Sequence, residues 1–241
     1  MIYDRFQQEA IDYINNGYSV IVSAPTGAGK TAIAEYIISG AIRNNLGVIY
    51  TAPIKALSNQ KFRDFKNQFQ DNIGILTGDV SINPQAPVLI MTTEIFRNKI
   101  LDEPASLNKY SWIIFDEIHY IDNPERGTVW EESLIFLPKH MNLLGLSATI
   151  PNIEQFAGWI ESIHNKTVKV VIEDQRPVPL HFSFQCANEV VDNLDQLKRL
   201  RSSKPNRLQS LISHVQEKEG LPAIYFVFSR KRAEELAFDL Y

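Results

Sequence analysis

Residues 24–31, with the sequence APTGAGKT, have the composition of a phosphate-binding loop. Glycines let backbone N–H groups turn toward phosphate oxygens, and the lysine adds a positive charge. We therefore predict that ATP binds here, with Lys30 at the β- and γ-phosphates and Thr31 as a ligand of Mg²⁺. An ordinary glycine-containing turn is the alternative, and Ala24 stands where such loops usually begin with glycine. The predicted nucleotide-binding residues of the loop are Thr26, Gly27, Ala28, Gly29, Lys30 and Thr31.

A second chemically active sequence, DEIH, begins at Asp116 and follows the apolar residues 112–115. Ligands of open α/β sheets bind at the carboxyl ends of strands. Asp116 is therefore predicted to hold Mg²⁺, and Glu117 to orient and deprotonate a water that attacks the γ-phosphate. His119 completes the predicted catalytic group, which also includes Lys30. The alternative is a pair of surface acids at the end of a strand.

Small residues at Ser147, Ala148 and Thr149 follow another apolar run. The hydroxyl groups of Ser147 and Thr149 are placed to bond to His119 or Glu117, so that residues 147–149 would couple nucleotide state to the rest of the molecule. A helix N-cap is the alternative for these residues, because serine and threonine are favoured at such positions.

Short β-branched runs alternate with amphipathic stretches over the first 172 residues. This alternation predicts an α/β fold, with a mostly parallel sheet covered by helices on both faces. Thr93 is the predicted N-cap of one helix. Strands are predicted at 19–23, 48–51, 73–76, 88–92, 112–115, 143–146 and 168–172, and helices at 31–43, 54–69, 93–101, 129–137 and 153–163.

The composition changes at residues 176–179, with the sequence RPVP, which predicts a stiff connector between domains of residues 1–176 and 177–241. In the second region we expect strands at 180–185 and 223–228, the latter buried in a sheet. Helices are expected at 189–201, 207–217 and 230–241, so that the chain ends within a helix.

The composition excludes several classes of protein. The chain has 241 residues, of which 44% are hydrophobic and 22% charged, and a formal net charge of -4. The one cysteine, Cys186, rules out a disulfide-stapled secreted scaffold and indicates an intracellular location, cytoplasmic in a prokaryote. No apolar run approaches the roughly 20 residues that span a bilayer, so no membrane contact is expected. The acidic N-terminal sequence does not have the pattern of a signal peptide.

The chain contains seven characteristic stretches in this order: RFQQEAI, APTGAGKT, TAPIKALSNQKFRDF, LTGDVSINPQAPVLIMTTEIFRN, DEIHYIDNPERGTVWEE, LSATIPNIEQFAGWI and PAIYFVFSRKRAEELA. Together they resemble superfamily II helicases with a DExH box, and closely the Ski-type (superkiller, exosome-associated) RNA helicases. The resemblance implies that 1–176 is a RecA-like P-loop NTPase domain and that 177–241 contains a connector and the start of a second RecA-like domain.

The same resemblance implies further site residues. Gln7 matches the glutamine that reads the adenine edge, although by itself it looks like an exposed polar residue on a helix. Arg126 is expected to be structural, and Lys61 to lie on a solvated helix face. The residues that match loops gripping a nucleic-acid backbone are Pro53, Lys55, Ala56, Gly78, Asp79, Thr92, Thr93 and Glu94.

The function implied is that of an ATP-dependent RNA helicase or translocase, which uses ATP and Mg²⁺ and acts on single-stranded RNA or on RNA with a single-stranded tail. DNA is a possible substrate, an RNA-degradation machine a possible protein partner, and the expected state is a monomer. Two alternatives stay open. One is a DNA repair helicase of the same superfamily; the other is a nucleotide- and RNA-binding module without significant turnover.

Overall fold

The computed structural model describes residues 2–186, 188–200 and 206–240. The chain divides into two compact units, Met1–Val178 and Pro179–Tyr241, and each is described by itself.

The first unit is built on an eight-stranded sheet. The strand order across the sheet is β4-β3-β5-β2-β6-β7-β1-β8, and every neighbouring pair is parallel except β3 and β4. The strands are β1 (Ser19–Ser23), β2 (Gly47–Ala52), β3 (Ile73–Leu76), β4 (Ser81–Ile82), β5 (Val88–Thr92), β6 (Tyr110–Phe115), β7 (Asn142–Ser147) and β8 (Val168–Ile172).

Helices cover both faces of this sheet and form two hydrophobic cores. Apolar side chains of α1, α2 and α3 pack on one face, around Phe6, Ile33 and Phe65. Those of α4, α5 and α6 pack on the other, around Phe96 and Trp130. The helices are α1 (Arg5–Asn15), α2 (Thr31–Arg43), α3 (Lys55–Phe69), α4 (Thr93–Asp102), α5 (Gly127–Ile135) and α6 (Ile153–His164).

This architecture confirms the predicted α/β fold with its mostly parallel sheet. Strands β1, β2 and β5 are buried along their whole length, as expected for strands covered on both faces. One local prediction is wrong: Thr92 is the N-cap of α4, and Thr93 is its first helical residue. Thr92 is still in the extended conformation of β5, so the helix begins directly where the strand ends.

The second unit contains two short strands that pair antiparallel, followed by helices. The predicted helix at 189–201 is wrong at its start, because residues 189–191 pair with β9 instead. Arg201 and Tyr241, at the ends of two predicted helices, lie outside the described residues. The elements are β9 (Phe184–Cys186), β10 (Glu189–Val191), α7 (Leu194–Arg199), α8 (Leu208–Glu217) and α9 (Arg230–Leu240).

The predicted buried strand at 223–228 is also wrong. These residues form no strand, and Ile224 and Phe226 are 81% and 86% exposed. A strand is stable only when a neighbour satisfies its backbone groups, and neither β9 nor β10 pairs with this segment. Among the described residues, no helix has the length and apolar character needed to cross a membrane.

Candidate functional site

The order of the strands brings the predicted chemical residues to one edge of the sheet. The phosphate loop follows β1, residues 147–149 end β7, and the DEIH sequence follows β6. These three strands are neighbours in the order β1, β7, β6, and all run parallel. Their carboxyl ends therefore meet at a common edge, which is where ligands of such sheets bind.

The phosphate loop has the backbone conformation that its glycines permit. Gly27 and Gly29 have φ of 87° and 85°, in the left-handed region that other residues avoid. The Lys30 ammonium donates to the backbone oxygens of Ala24 at 2.6 Å and Pro25 at 3.0 Å. Burial lowers the pKa of Lys30, while the negative charges of nearby carboxylates oppose this shift. The loop thus holds a half-buried positive charge at the start of α2.

Gln7 does not lie on an exposed helix face, because it is only 6% exposed and packs against the phosphate loop. Its Nε2 donates to the Gly29 backbone oxygen at 3.0 Å, and its Oε1 accepts from the Asp4 N–H at 2.9 Å. A Cβ at position 29 would come within 2.8 Å of this amide nitrogen. Gln7 therefore ties α1 to the loop, and its contact with adenine stays a prediction.

The Asp116 carboxylate is oriented by two hydrogen bonds. Its Oδ2 accepts from the Tyr50 hydroxyl at 2.5 Å, and its Oδ1 accepts from the Glu117 N–H at 3.1 Å. Tyr50 is fully buried in β2, and its ring packs edge-on against Phe65 at 5.3 Å. Burial and the adjacent Asp116 charge raise the pKa of Tyr50 well above its usual value, so its hydroxyl stays a donor. The carboxylate is thereby fixed in one orientation.

Glu117 has a strained backbone, with φ of 53° and ψ of 46° in the left-handed region. Such conformations are uncommon for residues other than glycine and cluster at functional sites. Burial raises the pKa of the Glu117 carboxyl and Asp116 adds to this effect, whereas His119, Lys30 and Lys61 oppose it. A carboxylate with a raised pKa is a better proton acceptor near neutral pH.

His119 links Glu117 to the end of β7. Its Nδ1 lies 3.4 Å from Glu117 Oε2, 3.4 Å from the Ser147 hydroxyl and 3.4 Å from the Ala148 N–H. The backbone N–H can only donate, so that contact requires an unprotonated Nδ1, whereas a hydrogen bond to the carboxylate requires a protonated one. The position of one proton therefore decides which side His119 engages.

Residues 147–149 do not cap the following helix. The N-cap of α6 is Asn152, whose side chain makes no capping hydrogen bond. Instead, the Ser147 backbone oxygen accepts from the Ala24 N–H at 3.1 Å, which joins this segment to the phosphate loop. Thr149 is exposed and lines a cavity of about 520 Å³ together with His119.

The donors at this edge suit Mg²⁺. A threonine hydroxyl and one carboxylate are the hard oxygen ligands that Mg²⁺ takes from a protein when phosphates and waters complete its coordination. Among the described residues, no cluster of three or more His, Cys, Asp or Glu side chains forms an all-protein metal site. Thr31 and Asp116 therefore fit a metal held jointly with a nucleotide.

The predicted nucleic-acid residues follow β2, β3 and β5, on the other half of the same edge. The Lys55 ammonium lies 3.0 Å from Asp79 Oδ1, and Gly78 is exposed beside them. This ion pair lowers the pKa of the Asp79 carboxyl. Ala56 is exposed in the first turn of α3. The loops after β2 and β3 thus meet at the surface.

The start of α4, where contacts with nucleic acid were predicted, is almost completely buried. Thr92 and Thr93 are 6% and 0% exposed, and the Thr93 hydroxyl finds no hydrogen-bond partner within the described part of the chain. Glu94 forms an ion pair with Arg126, whose guanidinium also donates to the Pro53 backbone oxygen at 2.6 Å. Arg126 therefore joins the loops after β2 and β6 to α4. Contacts of these residues with nucleic acid stay predictions.

Sequence reasoning missed two polar residues of the site. Tyr50 lies within an apolar strand, and the signal was available, because a buried tyrosine hydroxyl requires a hydrogen-bond partner. Lys61 was expected on a solvated face, but it is half-buried and its ammonium donates to Thr31 Oγ1 at 2.8 Å. No local pattern distinguishes Lys61 from the other lysines of α3.

Residues 4–156 match the DEAD/DEAH box helicase family. Exosome RNA helicase MTR4 from Homo sapiens is 42% identical over 269 residues, covering 99% of this chain and 26% of that protein. Antiviral helicase SKI2 from Saccharomyces cerevisiae is 49% identical over 194 residues, covering 80% of this chain and 15% of that protein.

The fold also matches solved helicases. The structure of Mycobacterium smegmatis helicase Lhr bound to ssDNA and AMP-PNP has a TM-score of 0.60 at 21% identity, covering 98% of this chain and 38% of that one. The chain thus spans only a fraction of the length of its relatives. The family match covers the phosphate loop, the DEIH sequence and residues 147–149 together, and the chain belongs to the DEAD/DEAH box helicase family.

Proposed function

We propose that this chain is the ATP-binding part of an ATP-dependent RNA helicase or translocase. One observation supports this most directly: the two halves of a single sheet edge contain the residues for both tasks. The carboxyl ends of β1, β7 and β6 hold the phosphate loop and the acidic sequence, and β2, β5 and β3 next to them hold the candidate backbone-gripping loops. Strand β6 of the ATP half and strand β2 of the nucleic-acid half are neighbours, so a structural change in one half directly adjoins the other.

In this proposal each residue of the ATP half has one role. The backbone N–H groups of residues 26–29 and the Lys30 ammonium bind phosphates. Thr31 and Asp116 would hold Mg²⁺, which neutralises phosphate charge when bound. Glu117 orients the attacking water and accepts its proton, because its carboxyl has a raised pKa. His119 contacts Glu117 on one side and Ser147 and Ala148 on the other, and would couple the catalytic carboxylate to the end of β7.

The nucleic-acid half would bind the sugar-phosphate backbone of single-stranded RNA without a strongly basic surface. Backbone N–H groups at the start of α4 and the Lys55 ammonium are the available donors. The relative MTR4 is named as an exosome RNA helicase, which favours RNA and a role beside an RNA-degradation machine. We further propose that the chain is monomeric and acts inside the cell.

The test is steady-state ATPase activity with single-stranded RNA, single-stranded DNA or no nucleic acid. We expect activity that RNA stimulates more than DNA in a protein of the relatives' length, and little hydrolysis above background from residues 1–241 alone. The Glu117→Gln variant is the matched control, because it preserves the shape of the side chain and removes the base. Stimulation by DNA alone would favour the DNA repair helicase. The structural relative Lhr was solved in complex with ssDNA.

A second candidate function applies to this chain by itself. Hydrolysis in P-loop NTPases often needs an arginine that reaches the γ-phosphate, and its loss costs about 10³–10⁵ in rate. If residues 1–241 bind ATP and RNA but show no turnover above the Glu117→Gln level, the chain is a nucleotide- and RNA-binding module. Binding and turnover measured on the same preparation separate the two candidates.

A further inference from the structure

Lys61 reaches into the proposed ATP site from a helix that contributes no other residue to it. Its ammonium donates to Thr31 Oγ1 at 2.8 Å, which joins the middle of α3 to the first residue of α2. The ammonium also lies 6.0 Å from the ring centres of Tyr50 and Phe65. Packing against these two buried rings limits the positions that the side chain can take.

The Lys61 charge acts on both sides of the site. It opposes the burial-driven rise in the pKa of Glu117, and it adds to the lowering of the pKa of Lys30. It also opposes the rise in the pKa of Glu35, a half-buried carboxyl on α2 that has no role in the proposed reaction. The Lys61 charge thus acts both on the reaction site and on an acidic side chain one turn further along α2.

A lysine ammonium and Mg²⁺ are poorly compatible on the same hydroxyl oxygen. Mg²⁺ binds its oxygen ligands at about 2.0–2.1 Å. With the ammonium also bonded to Thr31 Oγ1 at 2.8 Å, the two cations would be separated by about 4 Å, where like charges repel strongly. One of the two has to leave this oxygen when the other is bound.

We propose that Lys61 and Mg²⁺ compete for Thr31 Oγ1, so that Lys61 sets the Mg²⁺ concentration at which the site binds nucleotide. Lys61 is then a positioning residue that acts through Thr31. When Mg²⁺ is bound, the ammonium moves toward the Glu35 carboxylate. This inference rests on the proposed function, because it requires that Thr31 holds the metal of a bound nucleotide.

The experiment is a titration of the chain with a fluorescent ADP analogue, in EDTA and over a series of Mg²⁺ concentrations. Lys61→Met removes the charge and keeps the length of the side chain, and Lys61→Arg keeps the charge. Lys66→Met is the matched control on the same helix, because the Lys66 ammonium lies 3.8 Å from Asp71 and makes no contact with Thr31. Thermal unfolding of each variant checks its folding.

For Lys61→Met we expect the half-saturating Mg²⁺ concentration to fall about 5-fold or more, with affinity in EDTA unchanged. Lys66→Met and Lys61→Arg should stay near the wild-type value. An unchanged Mg²⁺ requirement in Lys61→Met overturns the inference alone. Weaker binding in EDTA also overturns it, because Lys61 would then be a phosphate ligand. If binding of the ADP analogue to the wild-type chain does not depend on Mg²⁺, both the proposed metal site and the inference are overturned.

Discussion

Replacing Tyr50 with phenylalanine removes one hydroxyl and leaves the buried ring in place. The lost hydrogen bond is to a charged carboxylate, and bonds of this kind contribute about 1.5–3 kcal/mol. Asp116 is half-buried, so water can replace part of the bond, and we expect the free energy of unfolding to fall by about 1–2 kcal/mol. The larger effect concerns the metal, because the carboxylate loses its fixed orientation. Loss of such a supporting contact typically lowers metal affinity about 10–100-fold.

Binding of a fluorescent ADP analogue with Mg²⁺ or with EDTA measures this effect. Tyr50→Phe should raise the half-saturating Mg²⁺ concentration about 10-fold and leave affinity in EDTA unchanged. Tyr36→Phe is the matched control, because it also removes one hydroxyl, whose 2.7 Å hydrogen bond to Asn15 lies away from the acidic residues. An unchanged Mg²⁺ requirement in Tyr50→Phe would refute the view that this hydroxyl orients Asp116 for the metal.

Three other changes test separate parts of the structure. Lys30→Ala should abolish binding of the ADP analogue, and unchanged affinity would show that the loop does not hold phosphates. Glu117→Gln should keep nucleotide and RNA binding but lose turnover, and wild-type hydrolysis would mean that another group is the base. Burial lowers the pKa of His164, so stability should fall as the pH drops below about 6.5, since the unfolded state then binds more protons. Urea midpoints at pH 7.5 and 5.5 should differ less in His164→Gln, and an equal difference would contradict this.

The elements of the first unit could be predicted because their signals are local. The run at 19–23 and the glycines after it specify a strand, a turn and a helix within a short stretch of chain, and β1 has the predicted bounds. The DEIH sequence was likewise recognisable from the apolar strand before it. Such signals depend on hydrophobic pattern and on backbone freedom, which a sequence contains directly.

Contacts between distant residues could not be predicted in the same way. Tyr50 and Asp116 are 66 positions apart, and Lys61 and Thr31 are 30 apart. Their meeting depends on the strand order, which places β2 beside β6, and on the way α3 packs over β2. Neither the strand order nor the helix packing is present in the local pattern of any one segment.

The apolar segment 223–228 shows the limit of hydrophobic pattern in the second unit. Its composition is that of a buried strand, but burial is a property of its neighbours as much as of its own side chains. Among the described residues, β9 and β10 pair only with each other, and Phe228 is exposed. The hydrophobic pattern therefore predicted a buried strand, and the second unit offers this segment no neighbouring strand with which to pair.

Under the proposed function, the sheet would let one site respond to both ATP and nucleic acid. β6 carries the acidic sequence and pairs with β2, whose last residues lead into the Pro53 and Lys55 loop. Tyr50 joins β2 to Asp116, and Arg126, just after the acidic sequence, joins Pro53 to Glu94. A shift of the β6 end when phosphate charge changes would therefore move the loops after β2 and β5 through side-chain contacts, without a rearrangement of the core. This connection between the two candidate sites requires that both lie at the same edge of the sheet, and the strand order places them there.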